Sequence, residues 1–253
     1  MLRKLCLLIA VAAPAAAAAQ GKLDAVRDAV DKSRTENRSS DDSTPDENPV
    51  PDLFGGISWD PLASKVRFAE YPYASPDAAC LLPKSPGAEW GGRASVETGS
   101  DFSGLNRAGL RLFLDSDVRL GLKTDWDYYT ERLACGCRDS LWLGDLTATY
   151  RLVEDVQTAE MQIHVGAGAR WLLDHGDSRA GLNFYTGFEF FPKQPVHLFG
   201  SLEAGTLGSA GVYRARAGAG WHWSRGELYG GYDYFYIGGV RLQGPFVGVR
   251  LWF

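Results

Sequence analysis

Ten segments of alternating apolar and polar residues follow one another after Ala88, and this alternation constrains the fold more than any other feature. A two-residue period indicates a β-strand with one apolar and one polar face, and turn residues separate the segments. We predict an all-β fold of ten antiparallel strands, with eight or twelve strands as alternatives. The predicted strands are Trp90–Gly99, Asn106–Leu114, Val118–Trp126, Trp142–Leu152, Glu160–Leu172, Leu182–Phe191, Val196–Thr206, Val212–Trp223, Glu227–Phe235 and Val240–Phe253.

The connections between the predicted strands alternate in length. The stretches "DSD", "VEDVQT", "PKQP" and "SRG" are short, whereas "DYYTERLACGCRDSL" and "LDHGDSRAG" are longer. Short turns at one end, longer loops at the other and an even number of strands are typical of an up-and-down transmembrane barrel. The connections therefore predict antiparallel neighbours throughout.

Other features decide which face of the strands meets lipid, because a water-soluble barrel shows the same alternation with its apolar face inside. Strands of about ten residues suit a tilted bilayer crossing, whereas soluble strands average about five or six. Aromatic residues of the apolar face lie near strand ends, where a bilayer interface favours them. We predict a transmembrane barrel with aromatic girdles at Trp126, Trp142, Trp171 and Tyr234 and at Trp90, Tyr150, Phe190, Trp221 and Phe253.

The polar face of the strands combines glycines with charged side chains, among them Arg93, Glu97, Asp125, Asp145 and Arg250. Glycine weakens a strand, but inside a narrow barrel it leaves room for long neighbouring side chains. We expect a lumen filled by paired charges and water, without a broad aqueous pore. The residues predicted to line the lumen are Arg107, Arg111, Arg119, Lys123, Arg151, Glu160, Arg170, Glu189, Glu203, Arg214, Arg216 and Asp233.

The first 19 residues have the pattern of a signal peptide, with basic residues, an apolar stretch and a small-residue run that suits cleavage after Ala19. The context of Cys6 does not favour a lipid anchor, and no later run reaches the roughly 18 apolar residues of a spanning helix. A formal net charge of -5 with dispersed basic residues argues against nucleic acid as a partner. We expect export to the cell envelope.

Two segments separate the signal peptide from the barrel, which is predicted to span residues 89–253. Residues 20–52 start with one amphipathic pattern at Leu23, Val26 and Val30 and then lose apolar residues, so we predict a disordered periplasmic tail or linker. Residues 53–88 are rich in proline and are expected to pack irregularly on or in the barrel.

The chain ends on "VGVRLWF", in which Val247, Val249, Leu251 and Phe253 share one apolar face. With the strands and the signal peptide, this ending resembles small bacterial outer-membrane β-barrel proteins of the Gram-negative cell envelope. The resemblance implies that these four residues form the signal recognised by the barrel-assembly machinery, with Phe253 at the periplasmic rim. Ten strands then place the longer loops outside and the preceding tail in the periplasm, within reach of a periplasmic partner.

Two carboxylate-rich stretches raise the question of hydrolysis. Asp125 and Asp127 lie in "TDWDYY", and "LDHGD" supplies Asp174, His175 and Asp177. Carboxylates and an imidazole at one rim could position a water, and outer-membrane aspartyl-type proteases with ten strands resemble this arrangement. Those enzymes carry an Asp-x-His pair, however, whereas adjacent residues point to opposite faces of a regular strand.

A further stretch, "WHWSRGE", places His222 and Ser224 on one strand face near Glu227. It resembles the His-x-Ser pair of the outer-membrane lipid A deacylase, which works at the lipid-facing outer rim. The alternation along the predicted strand instead places His222 on the inward face, near the periplasmic end of the barrel. The stretch is therefore expected to belong to the polar lining.

Cysteines and histidines do not form a recognisable metal motif in the sequence. Cys135 and Cys137 could close a tight ring or bind a soft metal, but this loop offers fewer ligands than metal sites need. With Cys80 they form an odd set of exported cysteines, so the sequence leaves their pairing open. We predict neither a metal nor a cofactor.

The sequence thus favours a non-enzymatic integral outer-membrane barrel with a structural or surface-scaffold role and a charge-filled lumen. A narrow, porin-like channel with a preference for anions is the main alternative, because the predicted lining contains many arginines. An outer-membrane hydrolase, similar to the protease or to the lipid A deacylase, is the weaker alternative.

Overall fold

The computed structural model describes residues 21–36, 89–154, 161–174 and 177–253. These residues form one helix and ten strands, and each strand pairs antiparallel with its neighbours in sequence. The prediction of an all-β, ten-stranded up-and-down barrel is confirmed. The elements are α1 (Lys22–Glu36), β1 (Trp90–Ser100), β2 (Leu105–Ser116), β3 (Leu120–Arg132), β4 (Arg138–Glu154), β5 (Met161–Asp174), β6 (Asp177–Lys193), β7 (Val196–Leu207), β8 (Ala210–Trp223), β9 (Gly226–Ile237) and β10 (Val240–Trp252).

The sheet closes because β1 pairs with β10 as well as with β2. This seam runs from Arg93 opposite Trp252 to Gly99 opposite Phe246, so closure removes the free edges that an open sheet would expose. Since β1 begins where β10 ends, Trp90 lies at the same end of the barrel as the chain terminus. We call this end the C-terminal mouth and the opposite end the helix mouth.

Alternation along the strands separates an apolar exterior from a charged interior. Leu202, Leu182 and Trp221 are exposed on the exterior, at 65%, 61% and 60% of their surface. Their inward neighbours are buried and often charged, as Glu203 is beside Leu202. A water-soluble barrel shows the reverse arrangement, with its apolar face inside.

The connections do not follow the predicted division into short turns and long loops. At the helix mouth only residues 133–137 separate β3 from β4, and only 175–176 separate β5 from β6. A longer interval, 155–160, separates β4 from β5 at the C-terminal mouth. The prediction was wrong because polar residues at the strand ends resemble loop residues in sequence but still pair with the next strand.

Helix α1 lies across the helix mouth and is amphipathic. Its apolar residues Leu23, Val26 and Val30 recur at helical spacing and are at most 3% exposed. They pack against inward-facing apolar side chains that we call the apolar cup: Leu105, Tyr129, Leu141, Leu143, Leu172, Leu207, Ala210, Val212, Phe235, Ile237 and Leu242.

The helix corrects part of the prediction for residues 20–52. Residues 22–36 are helical where a disordered tail was expected, because burial of three apolar side chains offsets the entropy lost on ordering. Moreover, α1 lies at the mouth opposite to Trp90, whereas the tail was expected on the same side. Residues 37–52, with the predicted signal peptide and residues 53–88, lie outside the described residues.

Among the described residues, no helix is long and apolar enough to cross a membrane.

Candidate functional site

Charged side chains fill the interior between the apolar cup and the C-terminal mouth. Arg111 lies there with a side chain that is 11% exposed. Arg119 lies instead in the turn between β2 and β3 and is half-buried, and Glu160 lies outside the described residues. The other residues predicted to line the lumen are buried, namely Arg107, Lys123, Arg151, Arg170, Glu189, Glu203, Arg214, Arg216 and Asp233.

Glu97 of β1 collects cations from several strands. Its carboxylate lies 2.7 Å from Arg107, 2.8 Å from Arg111 and 2.8 Å from Arg216. Tyr229 of β9 also donates its hydroxyl to Glu97 at 3.0 Å. Since Arg216 belongs to β8, these charge-assisted bonds tie β1 to strands that do not pair with it.

Arg214 forms ion pairs that cross the lumen. It lies 2.8 Å from Asp127 of β3 and 2.6 Å from Asp233 of β9. Arg107 contacts the same Asp233 carboxylate from β2. Because β3 and β8 lie on opposite sides of the barrel, these ion pairs fill the lumen at this level.

One buried cluster has the composition of a metal site but holds a side-chain cation. Carboxylate oxygens of Asp125, Asp145 and Glu203 lie within 4.8 Å of one another. The Nζ atom of Lys123 lies among them, at 2.9, 3.0 and 3.0 Å. The ammonium therefore supplies the positive charge that this cluster needs when buried.

A second cluster, near the C-terminal mouth, combines His197, His222 and Glu227, whose potential ligand atoms also lie within 4.8 Å. Glu227 accepts hydrogen bonds from Arg250 at 3.0 Å and from the indole of Trp252 at 2.9 Å. His197 Nδ1 lies 2.9 Å from the same carboxylate. The sequence placed His222 near Glu227 but did not join His197 to them, because the three residues lie on separate strands. Arg250 supplies the cation of this cluster.

Asp115 organises the charges at the end of β2. It binds Arg151 at 3.0 Å and lies 3.1 Å from His164 Nε2. Arg151 also donates to the carbonyl of Ser116 at 3.0 Å. These bonds join β2 to β4 and β5 near the C-terminal mouth.

The carboxylates considered for hydrolysis are divided between two environments. Asp125 and Asp127 face the interior, where arginine side chains bind both. Asp174 and Asp177 lie at the helix mouth, where Asp177 is exposed, and His175 lies outside the described residues. The structure therefore does not assemble these carboxylates around one water site.

The pair His222 and Ser224 is also not arranged for catalysis. His222 is buried in the interior, whereas Ser224 is exposed in the turn after β8, with a positive φ of 56°. A nucleophile and its base must lie within hydrogen-bonding reach. The two side chains instead face different environments.

Polar contacts hold α1 at the helix mouth in addition to its apolar face. Arg27 lies 2.6 Å from Asp139 of β4 and also pairs with Asp174 of β5. The backbone N–H of Leu23, in the first turn, donates to Glu131 at 3.0 Å. A carboxylate at this position satisfies a free N–H and complements the helix dipole.

Asp101, in the connection after β1, forms another contact with the helix. Its carboxylate pairs with Lys22 and accepts hydrogen bonds from the backbone and the hydroxyl of Ser103. Partial burial would raise the pKa of Asp101, but the bonds from Lys22 and Ser103 outweigh it and lower the pKa to about 2. Asp101 is therefore a permanent anion at neutral pH.

The four residues of the predicted assembly signal lie on the exterior of the C-terminal mouth. Val247, Val249, Leu251 and Phe253 are each about half exposed, at 48–56%. Phe253 is fixed by backbone hydrogen bonds with Gly92, so the terminus is part of the closed sheet. These residues offer a continuous apolar edge.

The connection between β3 and β4 contains a disulfide between Cys135 and Cys137. The two Cα atoms lie 5.4 Å apart, and Gly136 between them has a positive φ of 80°. The sequence had left this pairing open. Cys80 lies outside the described residues.

The sequence analysis did not identify Asp115 and Trp252 as partners of the interior charges, and it did not join Glu227 to Arg250. The two-residue alternation along each strand could have identified them. Asp115 lies four residues after Arg111, and Trp252 lies two after Arg250, so each shares an inward face with a predicted charge.

No protein-family model matches this chain, and no curated protein matches its sequence.

Proposed function

We propose that this chain is an integral outer-membrane β-barrel protein. The observation that carries the proposal is the direction of the side chains: apolar residues such as Leu202 face outward while ion pairs fill the interior. Water around such an exterior would be unfavourable by roughly 25 cal/mol per Å² of apolar surface. Trp90 and Trp221 at the C-terminal mouth and Trp142 at the helix mouth support two interfacial girdles.

The proposed role is structural or that of a surface scaffold, with a closed lumen. Ion pairs that cross the barrel, such as Arg214 with Asp127, support this role, and so does α1 over the helix mouth. The proposed partners are the lipid bilayer and the assembly machinery, which would recognise the exterior edge ending at Phe253.

Conduction of anions is the rival role, supported by the arginines of the interior. Purified protein in planar bilayers distinguishes the two roles. A closed barrel gives no steady conductance, whereas an anion-selective current that falls on removal of Arg214 would favour the channel.

A hydrolase receives less support from the geometry. Cations pair with the buried acids, and Ser224 is exposed whereas His222 is buried. We therefore propose a non-enzymatic protein, and a hydrolytic activity abolished by Asp125→Asn or His222→Ala would contradict this.

Membrane fractionation combined with heat-modifiable gel mobility tests the proposed location. The intact chain should be recovered in the outer membrane and migrate faster before boiling than after. Deletion of Phe253 should abolish both properties, because the seam and the assembly edge end there. Phe102→Ala, which removes an 85% exposed aromatic at the helix mouth, is the matched control and should change neither. A freely soluble chain would refute the location.

A further inference from the structure

A cavity of about 70 Å³ interrupts the charge network inside the barrel. At roughly 10–15 Å³ for each water position, it has room for a few waters or for one small polyatomic ion. Its charged lining comprises five cations and two carboxylates, namely Arg93, Arg111, Lys123, Arg216, Arg250, Asp125 and Glu189. Glu97 and Glu227, which bind three of these cations, do not line it.

Three of the lining arginines share one bonding pattern. Arg111 and Arg216 bind Glu97 through their Nη nitrogens, and Arg250 binds Glu227 in the same way. Their three Nε–H groups are buried and have no hydrogen-bond partner among the described residues. Arg216 Nε lies 4.0 Å from a carboxylate oxygen of Asp233, which is beyond hydrogen-bonding distance.

Buried donors without a partner destabilise a fold, and charged donors do so more than neutral ones. Three such donors on side chains that line one cavity therefore favour a ligand that accepts several hydrogen bonds and carries negative charge. Guanidinium groups match the oxygens of phosphate and sulfate, and the hydroxyls of Ser95, Ser201 and Tyr185 also line the cavity.

We propose that this cavity is a binding site for one small tetrahedral oxyanion, of the phosphate or sulfate class. The anion would accept from the Nε–H groups of Arg111, Arg216 and Arg250 and link β2, β8 and β10 from inside. It would be a resident structural ion, held within a closed lumen. The site does not depend on where the barrel resides, so it can fail while the membrane location holds, and the reverse.

Retention of phosphate by the purified full chain tests the site. The protein is refolded in phosphate, passed through gel filtration in gluconate of equal ionic strength, and denatured so that released phosphate can be measured. Gluconate is too large for the cavity. The expected result is about one phosphate per chain, because the cavity has room for a single such ion.

Ser201→Leu should fill the cavity without removing a charge, and should lower the retained phosphate to the level of a blank. Ser178→Leu makes the same change at an exposed position of β6 and should retain the wild-type amount. Arg216→Lys keeps a cation beside Glu97 but removes the Nε–H, so it should lower retention if Ser201→Leu does not fold.

Heat-modifiable mobility shows which variants are folded. Phosphate that is retained by the wild type and by Ser178→Leu, but lost from a folded cavity variant, would support the site. An absence of retained phosphate in the wild type, or equal retention in the folded cavity variants, would overturn it.

Discussion

Each charged residue in the interior needs a partner, because burial of an isolated charge carries a large desolvation free energy. Glu227 illustrates this, since one carboxylate serves Arg250, His197 and Trp252 at once. Buried ion pairs add little net stability compared with apolar packing, but removal of one partner strongly lowers the free energy of unfolding. We expect the network to specify one arrangement of the interior more than it raises the free energy of unfolding of the barrel.

Glu227→Gln should lower the free energy of unfolding by about 3–5 kcal/mol, because Arg250 would remain buried without its counter-charge. Reversible urea unfolding in lipid vesicles measures the change. Asp177→Asn, at a side chain that is 83% exposed, is the control and should change stability by less than about 0.5 kcal/mol.

A double variant sharpens this prediction. Arg250→Met combined with Glu227→Gln should be less destabilised than Glu227→Gln alone, since no unpaired charge is left. Equal stability of Glu227→Gln and Asp177→Asn would show that the network is not essential.

Asp101 offers a residue-scale test of how the helix is held. Its folded-state pKa of about 2 lies below the ordinary value near 3.9, so its contribution is complete above about pH 4 and is lost as pH falls toward 2. Lys22→Ala should raise the pKa of Asp101 toward the ordinary value. Carbon NMR of the Asp101 carboxyl, assigned with Asp101→Asn, follows the titration.

Lys193→Ala, at the C-terminal mouth, should leave that titration unchanged. A wild-type pKa of Asp101 close to 3.9 would mean that Lys22 does not hold it in solution.

Among the described elements, α1 has the fewest contacts with the strands. One apolar face and a few ion pairs hold it against the barrel. Burying three aliphatic side chains contributes about 1.5–3 kcal/mol each at most. A 15-residue helix is only marginally stable in water, so docking and helix formation are coupled.

Val26→Asp should therefore release and unfold α1 while the barrel stays closed, because a carboxylate without a partner cannot stay in the apolar cup. Amide hydrogen exchange should show lost protection over residues 22–31 and unchanged protection in β7. Asp31→Asn, which removes an exposed ion pair with Arg179 from the same helix, is the matched control and should keep the protection. Protection of α1 in Val26→Asp would contradict the described docking.

The strands were predictable from sequence, whereas the position of α1 was not. Period-two alternation reports the local pleat, so strand cores such as Val196–Leu207 were found almost to the residue. Docking of α1 depends on contacts between residues far apart in sequence, such as Lys22 and Asp101, 79 positions apart, and Leu23 and Glu131, 108 positions apart. A single sequence does not show which distant residues come together. Leu143 and Ile237, apolar residues in the inward phase near the helix mouth, were the available signal for the cup.

The interior network was predictable in composition but not in pairing. The alternation of inward and outward residues along the strands predicted that Arg214 and Asp233 face the interior, and both are buried there. Closure of the barrel then determines which of the inward charges form ion pairs. Strand ends were misjudged, because hydrogen bonding between neighbours extends through polar residues. Loop length therefore gives no support for the orientation of the barrel, which rests on the resemblance of the C-terminal strand.

At the scale of the whole molecule, the fold is a barrel with its polarity inverted relative to a soluble one. The exterior exposes Leu182, Leu202 and Trp221, while charges pair across the interior. Closure removes every sheet edge, which is what allows strands to cross a lipid bilayer. We propose that this exterior contacts hydrocarbon.

Collision of a nitroxide label with oxygen and with a water-soluble nickel chelate tests that claim most directly. The label is placed at Leu202, or at Asp177 as the aqueous reference, in a chain whose native cysteines are replaced by serine and which is reconstituted in vesicles. We predict that the Leu202 label is accessible to oxygen and protected from nickel, with the reverse at Asp177. A Leu202 label that meets nickel as readily as the Asp177 label would show that the exterior faces water.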